Sequence, residues 1–254
     1  MRVGFVEWPE DLKAQSAEWT VIASRITDAR PDILITNELP FGHWIATQPK
    51  FNASLAQKSI NAHTMGLDAL AALGVPAILS SIPVPAEGRL ANEAIVIENG
   101  VARAIHRKHY FPQEPGWYEA SWYVSGRNGF IAATASGLSV GVMLCTDAMF
   151  NEHARAYGRQ GATLIAIPRA TGTATENWLT AGKMAAMVSG SYVVSSNRSG
   201  RTRDGVIFGG SGFAFAPDGE LLATTDTANP LCIIEIDPER SARQRGEYPC
   251  YVLG

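Results

Sequence analysis

FIAATASGLSVGVMLCTDAMFNEHARAYGRQGATLIAIP, residues 130–168, carries the reading that decides the fold. FIAATA and LSVGVML are apolar runs joined by Ser136-Gly137, which reads as a hairpin. A helix is expected over about residues 151–160, and ATLIAIP (162–168) reads as the next strand. Strand, helix and strand in that order make a unit in which a sheet is covered by a helix. Cys145 stands at the end of the first of these strands, where the backbone leaves the sheet.

The same texture extends both ways. RVGFVEW (2–8) reads as a strand, and residues 12–29 as a helix with Leu12, Trp19, Ile22 and Ile26 on one face. DILIT (32–36) is continuously apolar, as a strand buried on both sides should be. A helix over 52–73 stops at Gly74, and VPAILSS (75–81) is a strand. ANEAIVIENGVARAIHRK (91–108) holds two strands turned by Asn99-Gly100. Beyond residue 168 come a helix over about 178–188, the strand SYVVSSN (191–197), and strands near 206–216, 220–225 and 231–236. Pro217-Asp218-Gly219 is a turn. The pattern predicts one α/β domain over residues 1–254, with two layers of sheet covered by helices.

Composition excludes several classes of function. Net charge is −3 and 18% of the 254 residues are charged, so there is no basic footprint for a nucleic acid or membrane surface. Glu7, Glu10 and Asp11 interrupt the first residues too early for a signal-peptide core. No apolar run approaches the ~20 residues of a membrane span. Cys145, Cys232 and Cys250 form no CxxC pair, which argues against a disulfide framework or a zinc site. The five histidines, His43, His63, His106, His109 and His153, lack metal-ligand spacing. A cytoplasmic protein with a free thiol is expected.

Three polar residues end apolar runs: Glu38 after DILITN, Lys108 after VARAIHR, and Cys145 after VGVML. Ligand sites gather at such strand ends. A thiol is mostly protonated at neutral pH, so nucleophilic attack on an amide needs a base, for which Glu38 is suited. Lys108 and the backbone N–H of Thr146 are suited to stabilise the oxyanion. Glu38 returns the proton to the leaving amine and then activates water. No metal or organic cofactor is needed. A lone Cys after an apolar strand is more often core than nucleophile.

The words around these residues, NELPFGHW (37–44), HRKHYFP (106–112) and MLCTDAMFNEHAR (143–155), resemble the three signature segments of the nitrilase superfamily of carbon–nitrogen hydrolases. QGATLIAIP (160–168) and FGGSGFAFAPDGELLA (208–223) are similar to later segments of that family. The resemblance implies a four-layer αββα sandwich with two mixed sheets and a homodimer or larger homo-oligomer. It also implies Glu38, Lys108 and Cys145 as the catalytic set. A second glutamate follows the Lys in many amidase-like members; Glu114 in PQEPGW is the expected one, to orient Lys108 and hold the substrate amide or water, with Glu119 its competitor. Trp117 and Phe41, within an aromatic group that either packs the loops or walls a pocket, are substrate-binding candidates, as is Thr146. Arg169 is either a salt-bridge residue or a clamp for a substrate carboxylate.

Thr146 stands where nitrile-hydrolysing members usually have Trp, and Ala148 and Met149 where N-carbamoyl-amino-acid hydrolases commonly have arginines. The expectation is therefore an amidase acting on a small amide through a Cys145 thioester. The alternatives are an N-carbamoyl-amine or amino-acid hydrolase, a nitrilase, or an idle member that binds a metabolite or protein.

Overall fold

The computed structural model describes residues 1–252, with thirteen strands and six α-helices among them. Strand β1 (Arg2–Pro9) lies between β2 (Ile33–Ile35) and β13 (Leu231–Glu235). Outward from β2 follow β3 (Ala77–Ala86), β4 (Arg89–Glu98) and β5 (Val101–Arg107). The second sheet runs β6 (Ala133–Ala135), β7 (Leu138–Val142), β8 (Leu164–Arg169), β9 (Tyr192–Arg201). Beyond β9 lie β10 (Ile207–Gly209), β11 (Phe213–Phe215) and β12 (Leu221–Thr224). The two sheets join where the end of β1 pairs in parallel with β9, Glu7 opposite Asn197. Each sheet has a parallel centre and antiparallel margins, so both are mixed.

Alternation along the strands explains the layers, because successive side chains point to opposite faces. Val3, Phe5, Ile33, Ile35, Val142, Leu164, Ala166 and Val194 meet in one core between the sheets. Their neighbours Val6, Trp8 and Leu34 face outward beneath α1 (Ala17–Ala29) and α2 (Ala53–Ala71). On the far side, Ile165, Ile167 and Val193 face α4 (Asn151–Arg159) and α5 (Glu176–Ser189). Both faces of the central strands are dry, which is why DILIT and ATLIAIP read as unbroken apolar runs. The result is the expected four-layer αββα sandwich.

The Asn99-Gly100 and Ser136-Gly137 turns fall where expected, with all four residues at positive φ. Other boundaries move for local reasons. Helix α1 starts at residue 17, because Ser16 caps it by accepting from Trp19 N at 3.1 Å. The expected strand near 206–216 is broken into β10 and β11, since Gly210 and Ser211 both adopt positive φ. A final helix, α6 (Pro238–Arg245), was not anticipated; Asp237 caps it and Pro238 opens it. No helix among the described residues is long and apolar enough to cross a membrane.

Phe41 is corrected here from substrate-binding candidate to core residue. It is 2% exposed and packs edge-on to Trp19 and against Trp8 beneath the α1–α2 layer. Its ring occupies the space beside Gly66 in α2, where a Cβ would come within 2.1 Å of Phe41 Cδ2. Gly66→Ala is therefore expected to displace the ring and destabilise the protein by about 1–3 kcal/mol, despite alanine's better helix propensity. Equal or higher denaturation midpoints for the variant would refute this packing argument.

Candidate active site

The three strand-end residues converge. Glu38 follows β2, and its N–H donates to Arg169 O at the end of β8 (3.1 Å). The next residue, Leu39, is at φ 45° and donates to Ser81 Oγ (2.8 Å), which turns the chain sharply out of the sheet. Lys108 directly follows β5, its N–H bonded to Asn92 O (2.9 Å). Cys145 follows β7 by three residues and opens a short 3-10 turn, Cys145–Met149. Its φ is +50°, a left-handed conformation that typically costs a non-glycine residue 1–3 kcal/mol. This corner places Thr146 N–H ahead of the turn's first internal bond, Asp147 N to Leu144 O (3.1 Å).

Lys108 is completely buried and lies between two carboxylates. Its Nζ donates to Glu38 Oε1 (2.8 Å) and to Glu119 Oε2 (2.5 Å). Asn92 Nδ2 also donates to Glu38 Oε1 (2.7 Å), while Glu38 Oε2 is buried with no hydrogen-bond partner. One oxygen of Glu38 thus accepts two hydrogen bonds and the other accepts none. Burial opposes the charge on Lys108, but Glu119 and Glu38 outweigh it and hold its pKa well above the ordinary lysine value. Burial pushes the Glu119 carboxyl up, against the pull of Lys108. Burial, and then the charge of Glu38, raise the Cys145 thiol well above its usual range. Both effects favour the protonated thiol over the thiolate.

The residue expected to orient Lys108 was Glu114. The structure corrects this: the carboxylate on Lys108 belongs to Glu119, on the one-turn helix α3 (Glu119–Trp122), and Glu114 is exposed. Two hydrogen bonds set the loop path. Tyr118 N donates to Ala46 O (2.9 Å) and Trp122 Nε1 to Gln48 O (2.7 Å), which turn Glu119 inward. Arg169 is neither a surface salt bridge nor a clamp facing the cavity. It is fully buried, and its donors are used by Ser195 Oγ (2.6 Å), Thr171 Oγ1 (3.2 Å) and Ser211 O (2.7 Å). Burial lowers its pKa to about 10.

Two polar assemblies hold the loops. Asp147 Oδ1 accepts from His109 N and Tyr110 N (3.1 Å each), and its Oδ2 from Leu144 N (3.2 Å), with His106 Nε2 at 3.0 Å. One carboxylate thus pins the loop after Lys108 to the turn that carries Cys145. Asp147, two residues past Cys145, suits by its residue type a brace for that turn, as its bond from Leu144 N shows; its reach to the loop after Lys108 and the role of Asn92 escaped the sequence reading. On the other side, Glu10 accepts from Trp44 N (2.9 Å) and pairs with His43 (2.8 Å) and Arg198. Arg198 also bonds Leu39 O and Gly42 O, which secures the turn after Glu38.

Burial alone would raise the pKa of Glu10, but the His43 hydrogen bond and the Arg198 charge reverse this and hold it at about 2, against 4.5 for a free carboxyl. The folded state then binds this proton more weakly than the unfolded chain. The resulting stabilisation, on the order of 3 kcal/mol, is present above about pH 4.5 and lost as pH falls towards 2. Denaturant titrations across that window should show a steeper loss of stability for wild type than for Glu10→Gln. Parallel curves would contradict the assignment.

Beside Cys145 lies a cavity of about 290 Å³, lined by Thr146, Met149, Glu119, Glu114, Trp117 and Trp178, together with Pro112 and residues 170–172. Its size suits a small molecule. Among the sequence candidates, Cys145, Thr146, Trp117 and Glu114 line this cavity, whereas Phe41 and Arg169 do not.

Residues 8–245 match the model of a family described as carbon–nitrogen hydrolase. Among curated proteins, the chain is 29% identical over 169 residues to the N-carbamoylputrescine amidase of Arabidopsis thaliana, covering 59% of this chain and 56% of that enzyme. It is also 29% identical to a chloroplastic omega-amidase of Arabidopsis thaliana, over 70% of this chain and 50% of that protein. The chain thus spans about half the length of the curated relatives it matches. Among solved structures, it resembles a carbon–nitrogen hydrolase from Helicobacter pylori G27 (TM-score 0.87, 23% identity, 99% of this chain and 94% of that one). It also resembles an amidase from Nesterenkonia sp. (TM-score 0.79, 20% identity, 97% and 94%).

Proposed function

This chain belongs to the carbon–nitrogen hydrolase family, and from that membership we propose that it hydrolyses the C–N bond of a small amide to a carboxylic acid and ammonia. The observation that carries the reading is the unpartnered oxygen of Glu38, buried in the same polar cluster as Lys108 and a neutral Cys145 thiol. Glu38 Oε2 takes the thiol proton as sulfur attacks the amide carbon. The C–S bond forms and the carbonyl electrons move to oxygen, where Lys108 and Thr146 N–H meet the new charge. Glu38 then gives its proton to the amine nitrogen, the C–N bond breaks and ammonia leaves. Water enters, Glu38 takes one of its protons, and hydroxide attacks the thioester. The C–S bond breaks and the proton on Glu38 returns to sulfur. Glu119 holds Lys108 in place throughout. In the Nesterenkonia amidase, a mutant shows Michael addition of acrylamide at the active-site cysteine, so that cysteine is nucleophilic there.

A second reading is hydrolysis of an N-carbamoyl amine, supported by four plant N-carbamoylputrescine amidases at 28–30% identity. The resemblance noted in the sequence also leads us to propose a homo-oligomer, which light scattering would refute by finding a monomer. The activity is tested by ammonia release from a panel of aliphatic amides, N-carbamoyl amines and nitriles, with intact-protein mass measured in parallel. Ammonia release, or an acyl adduct, by wild type but not by Cys145→Ala supports the mechanism. Equal release by both proteins overturns it.

A further inference from the structure

The geometry points to Glu114 as a specificity residue: its carboxylate at the cavity mouth selects substrates whose tail, remote from the scissile C–N bond, carries a protonated amine. This inference rests on the hydrolytic reading above and adds the class of substrate.

Glu114 lines the cavity that contains Cys145, yet it is exposed and enters no ion pair among the described residues. Its contacts come from its backbone. Glu114 O accepts from Trp117 N (2.8 Å), closing the turn Glu114-Pro115-Gly116-Trp117. Proline at the second position and Gly116 at φ +87° suit a type II turn. The turn is fixed from outside, because Trp44 Nε1 donates to Gly116 O (3.2 Å) and a Cβ on Gly116 would meet Val206 at 2.8 Å. Glu114 is therefore carried on a rigid corner with an unengaged charge.

The rest of the lining agrees with a cation. It contains Trp117, Trp178 and Met149 but no lysine, arginine or histidine. Aromatic faces and a carboxylate together favour an ammonium group. The positive charges near the site lie at depth: Lys108 is buried between Glu38 and Glu119, and Arg169 is buried with its donors used. The cavity lining thus holds no cationic side chain, and at its exposed edge it carries the unengaged carboxylate of Glu114. A carboxylate tail would meet Glu114 with no cation beside it.

The test compares three amides of matched length: γ-aminobutyramide (cationic), valeramide (neutral) and glutaramate (anionic). The readout is the ratio of kcat/KM values within each protein, so that a general loss of activity cancels. Wild type should prefer the cationic amide over valeramide by roughly three- to tenfold, the range for a partly exposed ion pair. That preference should shrink as salt rises, and glutaramate should be the poorest substrate. Glu114→Gln should bring the cationic-to-neutral ratio near one, and Glu114→Lys should invert the order in favour of glutaramate. Valeramide turnover with a cationic ratio near one in wild type, or a ratio unchanged in Glu114→Lys, overturns this inference and leaves the hydrolytic reading standing. No Cys145-dependent hydrolysis of any amide overturns both.

Discussion

Lys108→Ala is expected to abolish amide hydrolysis and to weaken the fold at the same time. The ammonium is wholly buried and donates to both Glu38 and Glu119. Removing it leaves two carboxylates facing each other in a dry interior. Breaking a buried pair by deleting one partner typically costs 3–5 kcal/mol, because the remaining charge is uncompensated. Protonating one carboxyl relieves part of that cost. The folded variant would then bind a proton more tightly than its unfolded chain, so its stability should fall as pH rises above the ordinary carboxyl range. Activity should drop on the order of a thousandfold, since the oxyanion loses its charged donor and the base loses its anchor. Circular dichroism, denaturant titration and ammonia release on the same samples separate the two effects. A folded Lys108→Ala protein within tenfold of wild-type activity would remove Lys108 from the mechanism.

The second large effect is expected from Glu38→Gln. The amide keeps an oxygen for Lys108 and Asn92 but cannot take a proton from sulfur. The thiol it faces is neutral at rest, so turnover should fall on the order of 10²–10⁴-fold. The residual rate carries a sharper signature. Removing the negative charge of Glu38 removes one of the causes that raise the thiol pKa, although burial, the largest, remains. Hydroxide must then do what Glu38 did, and the residual rate should climb with pH through the alkaline range. A flat pH profile, or near-wild-type turnover, would show that another group removes the proton. His109, next to Lys108 in the chain, is the histidine that a Cys–His mechanism would call on. The structure occupies its Nε2 with Asn128 O (2.7 Å), away from the Lys108–Glu38 pair.

Much of this site was legible before folding because its three central residues end regular elements. Apolar runs mark where β2, β5 and β7 stop, and the polar residue beyond each run is visible in the chain. The Asp147 contacts, by contrast, join residues 106, 109, 110 and 144 through a single carboxylate. The sequence showed that it could brace the turn after Cys145, but not that it reaches His106, His109 and Tyr110. Asn92 is equally inconspicuous, since β4 also carries Arg89, Glu93 and Glu98 and nothing in the run marks the buried one.

By itself, the sequence determined the two-sheet sandwich, the hairpins at Asn99-Gly100 and Ser136-Gly137, and the strand ends carrying Glu38, Lys108 and Cys145. These follow from side-chain periodicity and turn chemistry, which act within a few residues. Only the tertiary structure decided between Glu114 and Glu119, buried Phe41 under α1 and α2, and turned Arg169 away from the cavity. Loop residues have no period to read. Their directions are set by partners far along the chain: Ala46 and Gln48 for the segment around Glu119, Gly66 for Phe41, and Ser195 with Ser211 for Arg169. A carboxylate becomes a buried partner of Lys108 or an exposed charge at the cavity mouth according to those distant contacts.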